Sequence, residues 1–174
     1  FTTEHGSFGG VVMSDWQFSA NLHPTGLVDG VSQFDLIDGG LCRFAALAFA
    51  QCDAGGRVNV SRFGNANPGA GGFIDIAHNA RRLVFTGTLT TGGAEIVVRA
   101  GGLRIAREGR VRKLVRAVEH ITYDAGRGVR ERGQEALVLT ERAVFRIEPE
   151  GLALDEIAPG VDVRRDVIEQ MELD

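Results

Sequence analysis

The sequence is poor in cysteine and proline and has no long apolar run. Its 174 residues include four prolines, four scattered histidines and two cysteines, Cys42 and Cys52, which do not form a C-x-x-C pair. Zinc sites and disulfide scaffolds need closely spaced ligands or paired cysteines, so we predict no metal site and a reducing, cytoplasmic setting. No stretch of about 18 apolar residues occurs, and no charged segment leads into an apolar one. We therefore expect neither a membrane span nor a signal peptide.

Positive charge is not in excess either. The formal net charge is −4 and the isoelectric point is about 5.6. Nucleic-acid-binding domains are usually basic, so we predict no nucleic-acid partner. Basic residues do cluster at 107–116 and at 127–132. We interpret these clusters as a solvated face and a loop; the alternative is a patch that faces phosphates or an acidic substrate.

Glycine, in contrast, is abundant. The 24 glycines separate short apolar runs, a pattern typical of a strand-rich α/β fold. The length is sufficient for one domain with a hydrophobic core, and neither an internal repeat nor a linker interrupts the chain. We therefore predict a single α/β domain over residues 1–174, built as an open sheet with an antiparallel extension.

Periodicity and turn residues place most of the elements. Residues 44–52 are ambiguous because alanine and leucine favour a helix. The Asp-Ala-Gly-Gly turn and the apolar run that follow favour a hairpin, so we predict a strand there. Helices are predicted at 73–79 and at 162–172, the second with Asp162 as its N-cap. Residues 95–115 alternate in three runs and predict a β-meander. Further strands are predicted at 34–37, 83–86, 136–139, 143–147 and 152–154.

The first residues place a carboxylate at a turn. Glu4 lies in Thr2-Thr3-Glu4-His5-Gly6, shortly before Phe8-Gly9-Gly10. A glutamate where a strand ends in a turn can be exposed as a nucleophile or a base, although most such triplets are solvated turns. Because neighbours on a strand point to opposite faces, we expect His5 to face away from Glu4. We assign it packing or hydrogen bonding rather than base catalysis.

A second candidate element is the glycine-rich loop Gly69-Ala70-Gly71-Gly72, which precedes the predicted helix at 73–79. Its backbone N–H groups can approach a reacting carbonyl and form an oxyanion hole; the alternative is a tight turn that merely needs glycine. Asn59 and Ser61 either line the same pocket or belong to a strand edge, and Asp38 is interpreted as a turn former. The chain has no G-x-S-x-G, no Walker loop and no dinucleotide fingerprint.

Several motifs form a set whose order is specific. They are Thr3-Glu4-His5-Gly6, Gln33-Phe34-Asp35, Asp38-Gly39-Gly40, 57–64, 69–76, Gly133-Gln134-Glu135, 140–145 and 156–162. This set, which covers roughly residues 1–172, resembles the C-terminal (β-type) half of the family I coenzyme A (CoA) transferases of the acetate/propionate and 3-oxoacid type. The N-terminal half of those enzymes, with its own CoA-binding features, has no counterpart in this sequence.

The resemblance implies roles for the candidate residues. Glu4 would be the catalytic nucleophile, and the loop of Gly69, Ala70, Gly71 and Gly72 would lie near the thioester and bind CoA. The implied activity moves CoA between an acyl-CoA and a short-chain carboxylic acid, as in fatty-acid or ketone-body metabolism, through a glutamyl-CoA thioester with ping-pong kinetics. CoA would be a cosubstrate, with no cofactor bound covalently at rest.

The resemblance also implies partners. They are an N-terminal (α-type) half or subunit, the acyl-CoA and acid substrates, and further copies in an oligomer. Two alternatives stay open: an acyl-CoA hydrolase, in which water resolves the thioester, and a non-catalytic CoA-binding half that needs a partner chain.

Overall fold

The computed structural model describes residues 1–14 and 17–173. Its α-helices are α1 (Gly30–Leu36), α2 (Phe73–Asn79) and α3 (Ala125–Arg132). The strands are, in chain order, β1 (Ser7–Phe8), β2 (Val11–Val12), β3 (Asn21–Leu22), β4 (Gly26–Leu27), β5 (Phe44–Ala48), β6 (Gln51–Cys52), β7 (Arg57–Asn59), β8 (Arg82–Thr86), β9 (Thr90–Thr91), β10 (Glu95–Arg99), β11 (Gly102–Arg107), β12 (Val111–Arg112), β13 (Tyr123–Asp124), β14 (Glu135–Leu139), β15 (Ala143–Glu148) and β16 (Gly151–Ile157). π-Helical turns occupy Ile37–Leu41 and Val163–Val167, and a 3₁₀ turn occupies Ile168–Gln170. Within these described ranges, every helix is too short or too polar to cross a membrane.

A five-stranded mixed sheet forms the centre of the fold, with the strand order β16-β15-β14-β8-β5. Strands β5, β8 and β14 run parallel, so Val84 of β8 lies between Ala46 of β5 and Leu137 of β14. Parallel neighbours need a crossover connection, and α2 and α3 lie in the connections that lead into β8 and β14. β15 and β16 continue the sheet with antiparallel pairing. The predicted α/β fold with an antiparallel extension is confirmed.

Most of the predicted elements in and around this sheet are also confirmed. The hairpin around the Asp-Ala-Gly-Gly turn forms between β6 and β7. The helix predicted at 73–79 is α2, with the predicted bounds. Strands are present at 44–48, 51–52, 82–86, 135–139, 143–148 and 151–157.

The core lies between the sheet and α2. Leu83 and Phe85 of β8 are buried, and the ring of Phe73 on α2 stacks on Phe85 with centroids 5.9 Å apart. Ile76 and Ala77, one turn further along α2, are buried as well, as the helical period requires. Each large buried apolar side chain contributes about 1.5–3 kcal/mol. This packing therefore fixes α2, and with it the preceding glycine-rich loop, against the sheet.

Arg142, in the turn between β14 and β15, is the centre of a buried ionic cluster. Its fully buried guanidinium donates to Glu108 at 2.8 Å, to Glu141 at 2.6 Å and to the Asp166 carbonyl at 2.9 Å. Burial alone would lower the pKa of Arg142, but hydrogen bonds to Glu108 and Glu141 outweigh it and raise the pKa. The cluster ties the sheet to the β11–β12 connection and to the C-terminal turns.

The strand predicted at 34–37 is wrong, because these residues complete α1 and begin the π-helical turn. The helix starts four residues earlier, at Gly30, after Asp29, whose side chain accepts hydrogen bonds from the backbone N–H groups of Val31 and Ser32, both at 3.1 Å. An aspartate in this position is a strong helix N-cap. The short apolar run that indicated a strand is instead the end of a capped helix.

The predicted β-meander is right for two of its three runs. β10 and β11 form the expected hairpin, whereas the third run forms β12 and pairs with β9, with Val111 opposite Thr91. The N–H of Gly109 donates to the side chain of Thr90 at 3.1 Å. This contact directs the chain towards β9 and away from β11.

The helix predicted at 162–172 is replaced by a π-helical turn followed by a 3₁₀ turn. Asp162 is the N-cap as predicted, and its carboxylate accepts from the N–H of Arg165 at 2.8 Å. The carboxylate of Asp166 turns back to accept from the N–H of Asp162 at 2.9 Å, a local side-chain bond that competes with regular helical pairing.

Candidate active site

Glu4 lies at the tip of a tight hairpin. The N–H of Thr3 donates to the carbonyl of Ser7 at 3.0 Å, and the N–H of Gly6 donates back to the carbonyl of Thr3 at 3.1 Å. Glu4, His5 and Gly6 thus form a three-residue loop, and Gly6 adopts a positive φ of 85°. A turn followed by a left-handed glycine is the usual form of such hairpins. The loop presents Glu4 at its tip, in the setting that the sequence predicted.

Gly6 is required here for a second reason. A Cβ at position 6 would collide with the carbonyl oxygen of Val28, and the N–H of Val28 donates to the carbonyl of Gly6 at 2.9 Å. Only glycine permits both the positive φ and this close approach. The hairpin is therefore held against the residues that lead into α1.

The Glu4 carboxylate faces the glycine-rich loop. A Cβ at position 72 would lie 3.1 Å from Oε2 of Glu4, and a Cβ at position 71 would lie 4.0 Å from Oε1. Within the described part of the chain, the half-buried Glu4 side chain has neither an ion pair nor a hydrogen bond. The fold thus brings a carboxylate without a protein partner to the backbone of Gly71 and Gly72, two elements more than 60 residues apart in sequence.

The N–H groups of this loop differ in their availability. The N–H of Gly69 donates to the carbonyl of Ser61 at 3.3 Å, so it is already used. Those of Ala70, Gly71 and Gly72 donate to no other residue of the described chain. Free donors in a loop that lies against a carboxylate are suited to an oxygen atom that becomes negative during a reaction.

The sequence of the chain is 40% identical over 171 residues to acetate CoA-transferase YdiF of Escherichia coli K12. It is 39% identical over 176 residues to caffeate CoA-transferase of Acetobacterium woodii, and both matches cover 98% of the chain. The crystal structure of acyl-CoA transferase YdiF from E. coli O157:H7 matches 98% of the chain with a TM-score of 0.88 at 38% identity. The chain is homologous to these CoA-transferases.

The homology covers only part of the CoA-transferases. The chain spans 32% of the length of E. coli YdiF and 33% of the caffeate enzyme, about a third of each. Its assignment to their C-terminal half stays a prediction. The decarboxylase AibA/AibB has the same fold, with a TM-score of 0.71 at 18% identity over 98% of the chain, so the fold alone does not fix the activity. No protein-family model matches the chain.

Sequence reasoning assigned no role to two neighbouring residues of α1. A Cβ at position 72 would lie 2.5 Å from Cζ of Phe34. The edge of the Phe34 ring and the Glu4 carboxylate therefore both lie close to Gly72. Gln33 is fully buried, and its Nε2 donates to the carbonyl of Thr3, the residue before Glu4, at 3.1 Å. Phe34 fell within the strand predicted at 34–37, and Gln33 lay directly before it. The helix signal that could have corrected this is Asp29 followed by Ser32.

Asn59 and Ser61 support the loop rather than Glu4. The buried Asn59 donates to the side chain of Gln51 and to the carbonyl of Arg62, both at 2.8 Å, and the hydroxyl of Ser61 bonds to Thr122 at 2.6 Å. These contacts favour the strand-edge interpretation.

His5 and Asp38 have clear positions. His5 lies in the turn and is exposed, so the packing role expected from strand alternation is wrong. Asp38 lies in the π-helical turn that follows α1. Its carboxylate accepts a hydrogen bond from the side chain of Asn79, at the end of α2, at 2.7 Å.

The two cysteines, Cys42 and Cys52, are both free thiols. Burial raises the pKa of both thiols, Cys52 more than the half-buried Cys42, with the charge of Asp53 adding to the effect at Cys52. In residues 1–14 and 17–173, no three His, Cys, Asp or Glu side chains converge in a way that could hold a metal ion.

Proposed function

We propose that this chain is the nucleophile-bearing part of a CoA-transferase. It would move CoA between an acyl-CoA and a short-chain carboxylic acid through a glutamyl-CoA thioester on Glu4. The observation that supports this most directly is that the Glu4 carboxylate lies against Gly71 and Gly72, in a loop whose N–H groups at 70–72 donate to no other described residue. The names of the homologues support the same class of reaction. One structure of the E. coli O157:H7 relative is described as a thioester complex with CoA.

The chemistry follows from a carboxylate nucleophile. An oxygen of Glu4 attacks the thioester carbonyl of the acyl-CoA, and CoA thiolate leaves as a mixed anhydride forms. The thiolate then attacks the Glu4 carbonyl, forms the glutamyl-CoA thioester and releases the first acid. A second acid reverses these steps and departs as the new acyl-CoA. The thioester's free energy is retained in a covalent bond, and the reaction needs neither a metal nor a redox cofactor.

Each attack creates a negative oxygen that requires hydrogen-bond donors. The N–H groups of Ala70, Gly71 and Gly72 are free in the loop that lies against the carboxylate, and we assign them this role. The loop lacks side chains at positions 71 and 72, which allows close approach of the substrate. Removing one such donor typically slows turnover by about 10²–10³-fold. We assign Gly69 a structural role within the same CoA-binding loop, because its N–H donates a hydrogen bond to the carbonyl of Ser61.

The region around Glu4 supports the need for a partner. Large apolar side chains are exposed throughout this segment, among them Phe18, Leu27, Val31 and Leu41, and exposed apolar patches of this kind mark interaction sites. We infer that an N-terminal (α-type) half, in the same chain or as a separate subunit, covers this face and completes the site. We also propose a cytoplasmic, oligomeric enzyme.

The acyl group is the least constrained part of the proposal. The two relatives are named for acids as different as acetate and caffeate, and much of an acyl pocket can be supplied by residues outside this chain. A short-chain acid is the proposal that follows from the resemblance to the acetate and 3-oxoacid enzymes.

The test is the intact mass of the full-length protein after incubation with acetyl-CoA, without and with sodium borohydride. Wild-type protein should gain a CoA-sized adduct that borohydride removes by reducing the thioester. Glu4→Gln should gain none, whereas the control Glu150→Gln, at an exposed turn, should behave like wild type. An adduct on Glu4→Gln would refute Glu4 as the nucleophile. CoA release without transfer to propionate would indicate the hydrolase instead.

A further inference from the structure

Gln33 is the buried residue of α1, and it is polar. Its Nε2 donates to the carbonyl of Thr3 and to the hydroxyl of Thr2, both at 3.1 Å. We propose that Gln33 is a positioning residue that holds the Glu4 hairpin at the distance from the glycine-rich loop that thioester formation requires. This inference rests on the proposed role of Glu4 as the nucleophile.

The Gln33 amide holds the arm of the hairpin that precedes Glu4. It bonds to the carbonyl of Thr3, which also accepts the N–H of Gly6 that closes the loop. It also bonds to the Thr2 hydroxyl, which in turn donates to the carbonyl of Ser7, on the arm that follows Glu4, at 3.0 Å. A single side chain from another element therefore constrains the residues before Glu4 directly and those after it through Thr2.

The next residue of the same helix contacts the opposite wall of the site. The ring of Phe34 lies against Gly72, where a Cβ would be only 2.5 Å from Cζ. Two consecutive side chains of α1 therefore contact the hairpin that presents the carboxylate and the loop that presents the N–H donors. The helix is itself anchored at its start by Asp29 and by the bond from Val28 to Gly6. α1 thus acts as a spacer between nucleophile and donors.

Stability alone does not explain a glutamine at position 33. Its Oε1 is buried and has no hydrogen-bond partner in the described chain. An unpaired buried amide oxygen is unfavourable, and an apolar side chain of similar size would avoid it. Departures from such packing rules are expected at functional sites. Among the described residues, the side-chain amide of Gln33 donates only to Thr2 and Thr3 of the Glu4 hairpin.

Gln134 is a matched control within the same chain. It is buried as well, and its Nε2 donates to the carbonyls of Ala77 and Ala80 at 2.9 and 2.6 Å. Unlike Gln33, its Oε1 is satisfied, by the hydroxyl of Tyr123 at 2.6 Å. Gln134 therefore fastens α2 to its surroundings without contacting the Glu4 hairpin, and its removal reports the effect of losing a buried glutamine.

The experiment measures single-turnover formation of the glutamyl-CoA thioester from acetyl-CoA in the full-length protein, at a temperature where every variant is folded. Gln33→Leu should slow this step by about 10²-fold, as small displacements of reacting groups do, with little change in the KM for acetyl-CoA. Gln134→Leu should lower the Tm and leave the rate of thioester formation within about twofold. Equal rates for Gln33→Leu and wild type, or equal slowing by both Leu variants, would overturn the positioning role.

A further variant, Gln33→Glu, tests the positioning role through the pH dependence of the rate of thioester formation. A protonated carboxyl at position 33 can donate to the Thr3 carbonyl, whereas a carboxylate cannot and would repel it. We expect the rate of Gln33→Glu, relative to wild type, to rise as the pH falls, and a constant ratio would contradict the proposal. If wild-type protein forms no thioester at all, the role of Glu4 fails and the positioning role is overturned with it. If only the positioning role of Gln33 is wrong, wild-type protein still forms the thioester.

Discussion

The segment that carries Glu4 and the central sheet are built differently. Up to Leu41 the described chain forms strands of only two residues, and Ser19 and His23 adopt positive φ values of 78° and 52°. Several buried side-chain oxygens in this segment lack a hydrogen-bond partner: those of Ser7, Ser19, Asn21 and Gln33. In the sheet region, the buried guanidinium of Arg142 is instead paired with two carboxylates.

This difference shows which part is complete by itself. The sheet contains fully enclosed apolar side chains such as Leu83, Phe85 and Val138 and pairs the buried Arg142 with two carboxylates, as an independently stable core does. The Glu4 segment leaves polar atoms unpaired and apolar side chains exposed, features that disfavour it unless water or another surface satisfies them. We infer that the sheet is the scaffold. The segment up to Leu41 that carries Glu4, here called the reactive segment, is completed by another part of the enzyme.

The sharpest test of the scaffold is Arg142→Met. Removing the guanidinium leaves Glu108 and Glu141 in a partly buried site without a cation, so we expect a loss of about 3–5 kcal/mol in the free energy of unfolding. Urea denaturation of the full-length protein measures it. The control is Arg146→Met, whose side chain is 51% exposed and pairs with Asp155 at 2.6 Å; an exposed pair contributes about 0–1 kcal/mol. Equal losses for the two variants would show that the buried cluster contributes no more stability than the exposed ion pair.

The corresponding test of the reactive segment is Gly72→Ala. The φ of Gly72 is −78°, so alanine causes no backbone strain, but its Cβ would lie 2.5 Å from Phe34 and 3.1 Å from the Glu4 carboxylate. We expect thioester formation to slow by about 10²-fold with little change in the Tm. Gly39→Ala is the control, because a Cβ there meets no atom within 4 Å. A normal rate for Gly72→Ala would show that this contact does not set the geometry of the site.

Sequence patterns predicted the scaffold better than the reactive segment, for a physical reason. α2 and β8 follow from the spacing of Phe73, Ile76 and Ala77 and from the apolar run at 83–86, since these elements bury one face in a common core. α1 was missed because its signal is a cap at Asp29, upstream of a short run that also fits a strand. The pairing of β12 with β9 depends on distant contacts that local periodicity does not contain.

The candidate site, too, could be predicted from the sequence only in part. The resemblance singled out Glu4 and the 69–72 loop, and the fold brings Glu4 to Gly71 and Gly72. Their chemical roles stay predictions. The contacts of Gln33 and Phe34 could not be predicted, because they follow from where α1 packs and not from any motif of their own.

The apolar surface of the reactive segment can be tested with Val31→Lys in the full-length protein. Val31 is 74% exposed in this chain, and Val98, on the β10–β11 hairpin, is 72% exposed. If another part of the enzyme covers α1, Val31→Lys should lose about 2 kcal/mol in the free energy of unfolding, since burying a valine contributes about 1.5–3 kcal/mol. Val98→Lys should have almost no effect. Because the two valines are alike within this chain, similar urea midpoints would mean that α1 stays uncovered.

The smallest expected effect is the pH dependence of the scaffold. Burial would raise the pKa of Glu108, but its hydrogen bonds to Arg142 and Thr90 outweigh burial and hold the pKa below the ordinary value of 4.5. The hydrogen bond from Arg165 likewise holds the pKa of Asp166 below 3.8. A pKa that is lower in the folded state gives stability that is fully present above the unfolded-state value and is lost as the pH falls through the folded-state value. We therefore expect urea midpoints to stay level from pH 7 to about pH 5 and to fall below about pH 4.5. In Glu108→Gln the fall should be shallower, and an equally steep fall in that variant would show that acid destabilises the protein somewhere other than the Arg142 cluster.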